Sequence, residues 1–453
     1  MNPYLFLVPV ALCPLAAQSV DAGAACLAAL DSVKTAQSED MGPVVTAVME
    51  ATGGDEQAYW RLMREAADAG HPVALTWLAK QLLAQVYAQG LDLEISPESQ
   101  KLRAMLEKTT ASGYVPAIVE MAHICGSGVG APVDEKKGME YLMQACKSNH
   151  SRARAAYLLL TGRLEKEGAS SPAVTAELKR NNFYVEEFLG SLSSRVNEEK
   201  SREWMASAAS HGSPAAAGLL AHYYLQQGKD AIGYEFLKQA VERDHPESLA
   251  QMGSLHLPDT PLQGELKTLV KPDVETAVKL FRRSVLLGYT PALIPLAGEY
   301  QKQPEKYSQS RVFELYRLAA DAGDPRGGVA YAYFLVTGRG CTAETERGLR
   351  ILRQLVDAGV PYANMALADL YFNGNGVPAD MMKALSSLSS AAAAGVPQAY
   401  TLMAVISQLG NASKASDPSR AKLYLRMATE RGELDPQRVF DEMLKTGSWK
   451  FIP

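Results

Sequence analysis

One short string returns along the whole chain, and it restricts the possible folds more than any other feature. Small residues lead to a glycine, a spacer, a proline and then an alanine. The string reads AADAGHPVA at Gly70, TASGYVPA at Gly113, AASHGSPAA at Gly212, LLGYTPA at Gly288, AADAGDPRG at Gly323, VDAGVPYA at Gly359 and AAAAGVPQA at Gly395. Degenerate copies stand at Asn149, Asp244 and Gly432. From Gly288 onward these marks are spaced by 35, 36, 36 and 37 residues. A fixed period of this size belongs to stacked supersecondary units rather than to a globule with one centre. The mark itself has a helix-to-helix logic, because glycine closes one helix and proline suits the first turn of the next.

The agreement continues inside each unit. Four residues after the mark comes a small residue: Ala74, Ala117, Ala216, Ser248, Ala292, Gly327, Ala363 or Ala399. Four further on stands a large apolar residue followed by a small one, as in Leu78-Ala79, Met121-Ala122, Leu220-Ala221 and Leu367-Ala368. That is the stripe of one buried helix face, with room for a neighbouring helix to approach. A glycine pair then ends the first helix in three units, at Gly128/Gly130, Gly338/Gly340 and Gly374/Gly376. The last pair, in LYFNGNGVPAD, could suggest a phosphate-cradling loop. It lacks the GK[ST] ending and no strand precedes it, so the reading is a turn between helices.

These residues resemble the Sel1-like repeat, a relative of the tetratricopeptide repeat. The positions that carry the likeness are Leu367-Ala368, Leu370-Tyr371, Gly374, Gly376-Val377, Asp380, Lys383-Ala384, Ala392-Ala393 and Gly395. The unit from Ala117 follows with Met121-Ala122, Gly128, Gly130, Asp134 and Ala145, but has Cys125 where tyrosine is usual and Gly138 where alanine is usual. The unit from Gly327 keeps both glycines and has Glu344 in place of the aspartate. The resemblance implies an all-α solenoid of about nine to ten stacked helix-turn-helix units in a right-handed superhelix. It also implies adaptor or scaffold work on other proteins, frequently in a cell envelope or an oxidising lumen.

The expected organisation is a leader over 1–19, a capping segment over 20–55, and repeats over 56–161 and 197–432. A helical insertion over 162–196 interrupts one repeat, because 63 residues there replace 36. A capping helix and tail fill 433–453. The apolar run Tyr4–Ala17 ends in small residues like a secretory signal, although no Lys or Arg precedes it. A periplasmic or secreted location follows as an expectation, with no membrane span in the mature chain.

Chemistry leaves few marks. No CxxC pair joins the five cysteines, and the three late ones, Cys125, Cys146 and Cys341, read as small buried hydrophobes. HExxH is absent, and no nucleophile elbow stands in a fitting context. His71, His150, His211 and His245 fall at the turns as polar exposed residues, and Glu186 and Glu187 are expected on a solvated face. No cofactor, metal or catalytic residue is assigned, and the chain is read as non-enzymatic. A net charge of −5 with mixed signs speaks against nucleic acid as the main partner. The expected partner is a protein or peptide in the concave groove. Six positions after the small residue, the first helices should point away from both packing stripes, which selects His123, His222, Tyr333, Asp369 and Val405. Three positions further on stand Leu225, Val336 and Phe372. The aromatic and polar members His123, His222, Tyr333, Asp369 and Phe372 are the candidate contacts. The alternative reading is an envelope enzyme or small-molecule binder with the 162–196 segment as a lid.

Overall fold

The structure is a computed structural model that describes residues 19–446 apart from 53, 164–167, 195, 410–415 and 434. The expected leader and Cys13 lie outside the described residues. Among those described, the chain is all helical. Three helices begin it: α1 (Ser19–Thr35), α2 (Gly42–Ala51) and α3 (Glu56–Asp68). Ten hairpins follow. They are α4 (Pro72–Ala88) with α5 (Pro97–Thr110), α6 (Val115–Ser127) with α7 (Glu135–Lys147), and α8 (Ser151–Leu160) with the short α9 (Pro172–Leu178). Next come α10 (Phe183–Ser193) with α11 (Glu198–Ser210) and α12 (Pro214–Gln226) with α13 (Asp230–Glu242). In the sixth hairpin the four-residue α15 (Leu266–Leu269) stands between α14 (Pro246–Leu255) and α16 (Val274–Leu286). The last four are α17 (Leu293–Lys302) with α18 (Gln309–Asp321), α19 (Pro325–Thr337) with α20 (Thr345–Asp357), α21 (Pro361–Asn373) with α22 (Met381–Ala393), and α23 (Gln398–Leu409) with α24 (Pro418–Glu430). A final helix, α25 (Pro436–Thr446), packs on α23 and α24. The solenoid expected from the sequence is present.

Local chemistry sets the helix ends. Seven of the ten second helices start on a side-chain cap, the exceptions being α9, α13 and α20. Asp134 accepts from the Lys137 amide at 2.9 Å, Asn197 from Lys200 at 3.0 Å and Asp417 from Arg420 at 3.0 Å. Such caps satisfy amides that the helix itself leaves open. First helices start on proline at 72, 214, 246, 325 and 361, where the missing N–H costs nothing.

Packing follows the small residue of each mark. Ala74, Ala117, Ala153, Ala216, Ala292, Ala363 and Ala399 all have zero exposure. At Gly327 even a methyl would lie 2.5 Å from Ala319 Cβ, so the two helices cross there with no side chain between them. A larger residue at these crossings would overpack the joint, at about 1–3 kcal/mol. The glycine pair divides its work. Gly374 ends α21 in the left-handed region, and Gly376 presses its Cα on the preceding unit, where a Cβ would lie 2.2 Å from the Val336 carbonyl oxygen. GNGV is therefore a joint between neighbouring units.

The 162–196 segment is shared between two hairpins. Its first part, α9, is tied to α8 by Arg154 Nε on Glu177 Oε2 at 2.9 Å, and Asn182, just before α10, adds Nδ2 on the Ser151 carbonyl at 3.1 Å. Its second part, α10, packs along α11 as first helices pack on second helices elsewhere. Between them Asn181 adopts a left-handed φ of 55°, as Asn149 and Asp244 do at 59° and 57°. Asn181 is thus a further mark, and it splits the long interval into two units of 32 and 31 residues.

Two large cores result. One runs from Ala250 through Phe281, Tyr316 and Phe334 to Met443, and the other from Ala22 through Tyr59 and Met63 to Val129.

Candidate functional site

The ladder expected to face a visitor is split by the structure. Tyr333 on α19 and Asp369 on α21 occupy the same repeat position one unit apart, and they meet. The Tyr333 hydroxyl donates to Asp369 Oδ2 at 2.6 Å, and Asn373 Nδ2 donates to Oδ1 at 2.8 Å. Both partners are buried, at 3% and 0% exposure. Burial pushes the Tyr333 phenol well above its ordinary pKa, and the adjacent Asp369 charge adds to the effect, so the proton stays on the hydroxyl. Phe372, one turn along α21 from Asp369, is half-buried against Leu388, Leu402, Ile406 and Met443. Val336 and Val405 are core residues.

His123 and His222 remain exposed on α6 and α12. Gln226 Nε2 contacts His222 Nε2 at 2.8 Å, an i, i+4 pair on one helix face. The structure joins Tyr333, Asp369 and, at one turn's remove, Phe372; the two histidines stand in other hairpins.

Beside the Tyr333–Asp369 pair lies a cleft of about 390 Å³, lined by Tyr333, Thr337, Arg339, Asn375 and Gly376. Arg339 and Asn375 are the middle residues of two successive glycine pairs, 36 positions apart. The joints that bring the units together therefore also present a guanidinium and a carboxamide side by side. Arg339 lies over the Phe334 ring at 4.9 Å and reaches Gln309 Oε1 at 3.4 Å. Such stacking fixes the plane of the guanidinium and leaves its N–H edge to bind. The cleft offers the Arg339 guanidinium beside the Tyr333 ring, while Thr337 Oγ1 donates to the Tyr333 carbonyl at 2.9 Å and Asn375 hydrogen-bonds with the Tyr333 side chain. This arrangement suits recognition of carbonyl or carboxylate oxygens on an extended chain. Among the described residues, no group of three or more His, Cys, Asp or Glu could hold a metal ion.

Sequence reasoning did not select Arg339, Thr337 or Asn375. The signal was available, because the middle position of the glycine pair repeats with the same period as the ladder.

A second polar centre stands near the start of the array. Arg152 on α8 contacts Glu39 Oε2 and Glu120 Oε1, each at 2.7 Å, and Lys80 on α4 contacts the same carboxylates at 3.2 and 3.6 Å. Burial would raise the Glu39 carboxyl, but Arg152 and Lys80 outweigh it and bring it down to about 2. His150, beside Glu39, is pushed down by burial.

The expected solvated face at Glu186 and Glu187 is corrected. Glu186 is 3% exposed, accepts from Ser207 Oγ at 2.7 Å and pairs with His211 Nδ1 at 2.9 Å. Ser213 donates to Glu187. The turn histidines are corrected in the same way. His71 meets Asp31 at 3.2 Å with its side chain 11% exposed, and His245 meets Ser248 at 2.8 Å. His71 thus bridges its mark to α1, whereas His245 closes a contact within its own turn.

The four described cysteines, Cys26, Cys125, Cys146 and Cys341, are unpaired. Cys26 and Cys125 are buried and the other two half-buried. No helix among the described residues is long and apolar enough to cross a membrane.

Comparison with known proteins bears on the same units. Segments 115–150, 187–213, 246–289, 309–324, 361–396 and 397–433 match the Sel1 repeat model. The match at 187–213 crosses position 196 and covers α11 with the later part of α10. A curated relative, the chitin synthase regulator SKT5 of Saccharomyces cerevisiae, is 23% identical over 280 residues, which is 59% of this chain. The chain spans only 36% of that relative's length. Among solved structures, c5321 is a protective antigen of uropathogenic Escherichia coli strains with an SLR fold. It is 16% identical with a TM-score of 0.42, covering 94% of this chain and 98% of its own. A Sel1 repeat protein from Oxalobacter formigenes is 21% identical with a TM-score of 0.42, covering 54% and 96%.

Proposed function

We infer that this chain, a member of the Sel1-repeat family, is a non-catalytic scaffold that holds an extended segment of a partner protein along the first helices of its units. The observation that carries this reading is the cleft between α19 and α21. Its floor is a buried, fully engaged Tyr333–Asp369 pair, and its rim is Arg339, Thr337 and Asn375. A phenol held protonated beside a buried carboxylate is suited to rigid support rather than proton transfer. Of the ladder residues, Tyr333 and Asp369 act through this support, Phe372 stiffens the neighbouring joint, and His123 and His222 offer separate contacts further along the array. Regulation of another enzyme, as in the name of the yeast relative, is one form such scaffolding takes.

The apolar run Tyr4–Ala17 supports a periplasmic or secreted site of action. Mass spectrometry of the mature N-terminus tests that placement: a start near residue 20 supports it, and an intact Met1 opposes it.

Binding is tested by placing a photo-crosslinking residue at Asn375, with a control at the exposed Met143 on α7, in the full chain. Capture of a discrete partner from Asn375 but not from Met143, lost on Arg339→Glu, is the expected outcome. Equal capture from both positions, or capture indifferent to Arg339, contradicts the reading.

A further inference from the structure

The array touches itself across more than two hundred residues. Gln89 Nε2, at the end of α4, donates to the Asp321 carbonyl at the end of α18, at 2.6 Å. Arg283 on α16 grips Asp244, with Nη2–Oδ2 at 2.6 Å, and reaches Thr46 Oγ1 on α2 at 3.1 Å. Arg311 on α18 donates to the Gly54 carbonyl at 3.3 Å. Between these contacts lies Glu56, the first residue of α3, at 4% exposure. Its carboxylate meets Arg282 Nε at 2.7 Å, the Arg311 guanidinium and the Tyr300 hydroxyl, which donates to it. Tyr300 stacks on Tyr307 with centroids 3.7 Å apart, and Arg311 lies over both rings at 5.4 and 5.9 Å. Apolar packing crosses the same seam. Trp60, one turn beyond Glu56, borders both large cores, and Leu286 of α16 is fully buried in the N-terminal one.

The seam joins α2, α3 and the first hairpin to the sixth and seventh hairpins, and it reaches Asp321 and Gly323, which lie against Gln89 at the end of α4. A buried carboxylate held by two guanidiniums and a phenol is demanding in geometry, because each charge needs its partners once water is gone. Six polar contacts, with Trp60 and Leu286 packed across the same seam, exceed what an accidental graze between turns supplies.

We propose that α2, α3 and α4 form a clasp in cis with α16, Tyr300 and α18, closing the first seven hairpins into a ring and leaving α19 to α24 outside the closure. The inner face of the ring is then reached through its open ends or after the clasp parts, whereas the cleft at Arg339 and Asn375 is approached freely. The clasp stands on contacts independent of any partner.

Hydrogen exchange read by mass spectrometry, with small-angle scattering, tests this on the full chain. In Glu56→Gln, exchange in peptides from 42–68 and from 274–311 should rise together, by roughly tenfold, while peptides from 361–409 stay unchanged. The radius of gyration should increase. Exchange that rises on one side only, or not at all, with an unchanged radius overturns the proposal. Should Glu56→Gln unfold the chain, Gln89→Asp at the far end of the seam decides: coupled loosening supports the clasp and silence overturns it. A doubling of mass with protected exchange would show docking in trans and also overturn it.

Discussion

At the scale of residues, glycine and charge do different work. Gly376 combines a left-handed φ of 74° with a Cβ position 2.2 Å from a carbonyl oxygen, whereas Gly395 has a φ of 87° and open space around it. Both alanine variants carry the backbone cost, about 1–2 kcal/mol. Gly376→Ala adds an overlap that only movement of the neighbouring unit relieves. Its melting temperature should fall clearly further than that of Gly395→Ala; equal falls would mean the joint is looser than described. Glu39 makes a second test. Its folded carboxyl lies at about 2 against an ordinary 4.5, so its stabilising effect is fully present above pH 4.5 and is lost as pH falls toward 2. The upper bound is on the order of 3 kcal/mol from the size of the shift. Denaturant titrations of wild type and Glu39→Gln should differ most above pH 4.5 and converge between pH 4.5 and 2. A gap independent of pH would assign the effect to packing.

At the scale of elements, legibility depended on which residue carried the geometry. Gly-x-Pro marks were readable because glycine and proline restrict the backbone by themselves. Asn181 was not, since asparagine accepts a left-handed φ without announcing it, and neither a following proline nor an alanine four residues on accompanies it. An interval that reads as one insertion therefore holds a unit boundary, at Asn181. The Tyr333–Asp369 meeting was half readable. A 36-residue register puts both on neighbouring helices, but it does not say whether they face each other or a visitor. Glu186 was misread because adjacent carboxylates in sequence resemble a wet face, while His211 and Ser207 come from the next helix. The Asn181 mark is testable. Asn181→Gly should leave stability equal or slightly higher, and Asn181→Val should lower it by about 1–2 kcal/mol, because a β-branched residue resists that conformation. Indifference to valine would remove Asn181 from the set of marks.

At the scale of the whole molecule, ten hairpins bury one another's small-residue faces, and the curvature they accumulate brings the first unit against the sixth and seventh. That contact was beyond sequence reasoning, since it depends on small rotations summed over more than two hundred residues. The later units keep an open side, and there two glycine joints present Arg339 and Asn375 over a rigid aromatic and carboxylate floor. Central interface arginines commonly carry a large share of binding energy. The most direct measurement is titration calorimetry of the segment captured at Asn375, made as a synthetic peptide, against wild type and Arg339→Glu. The account predicts binding at least ~tenfold weaker for the variant, at an unchanged melting temperature. Equal affinity for both chains would contradict it.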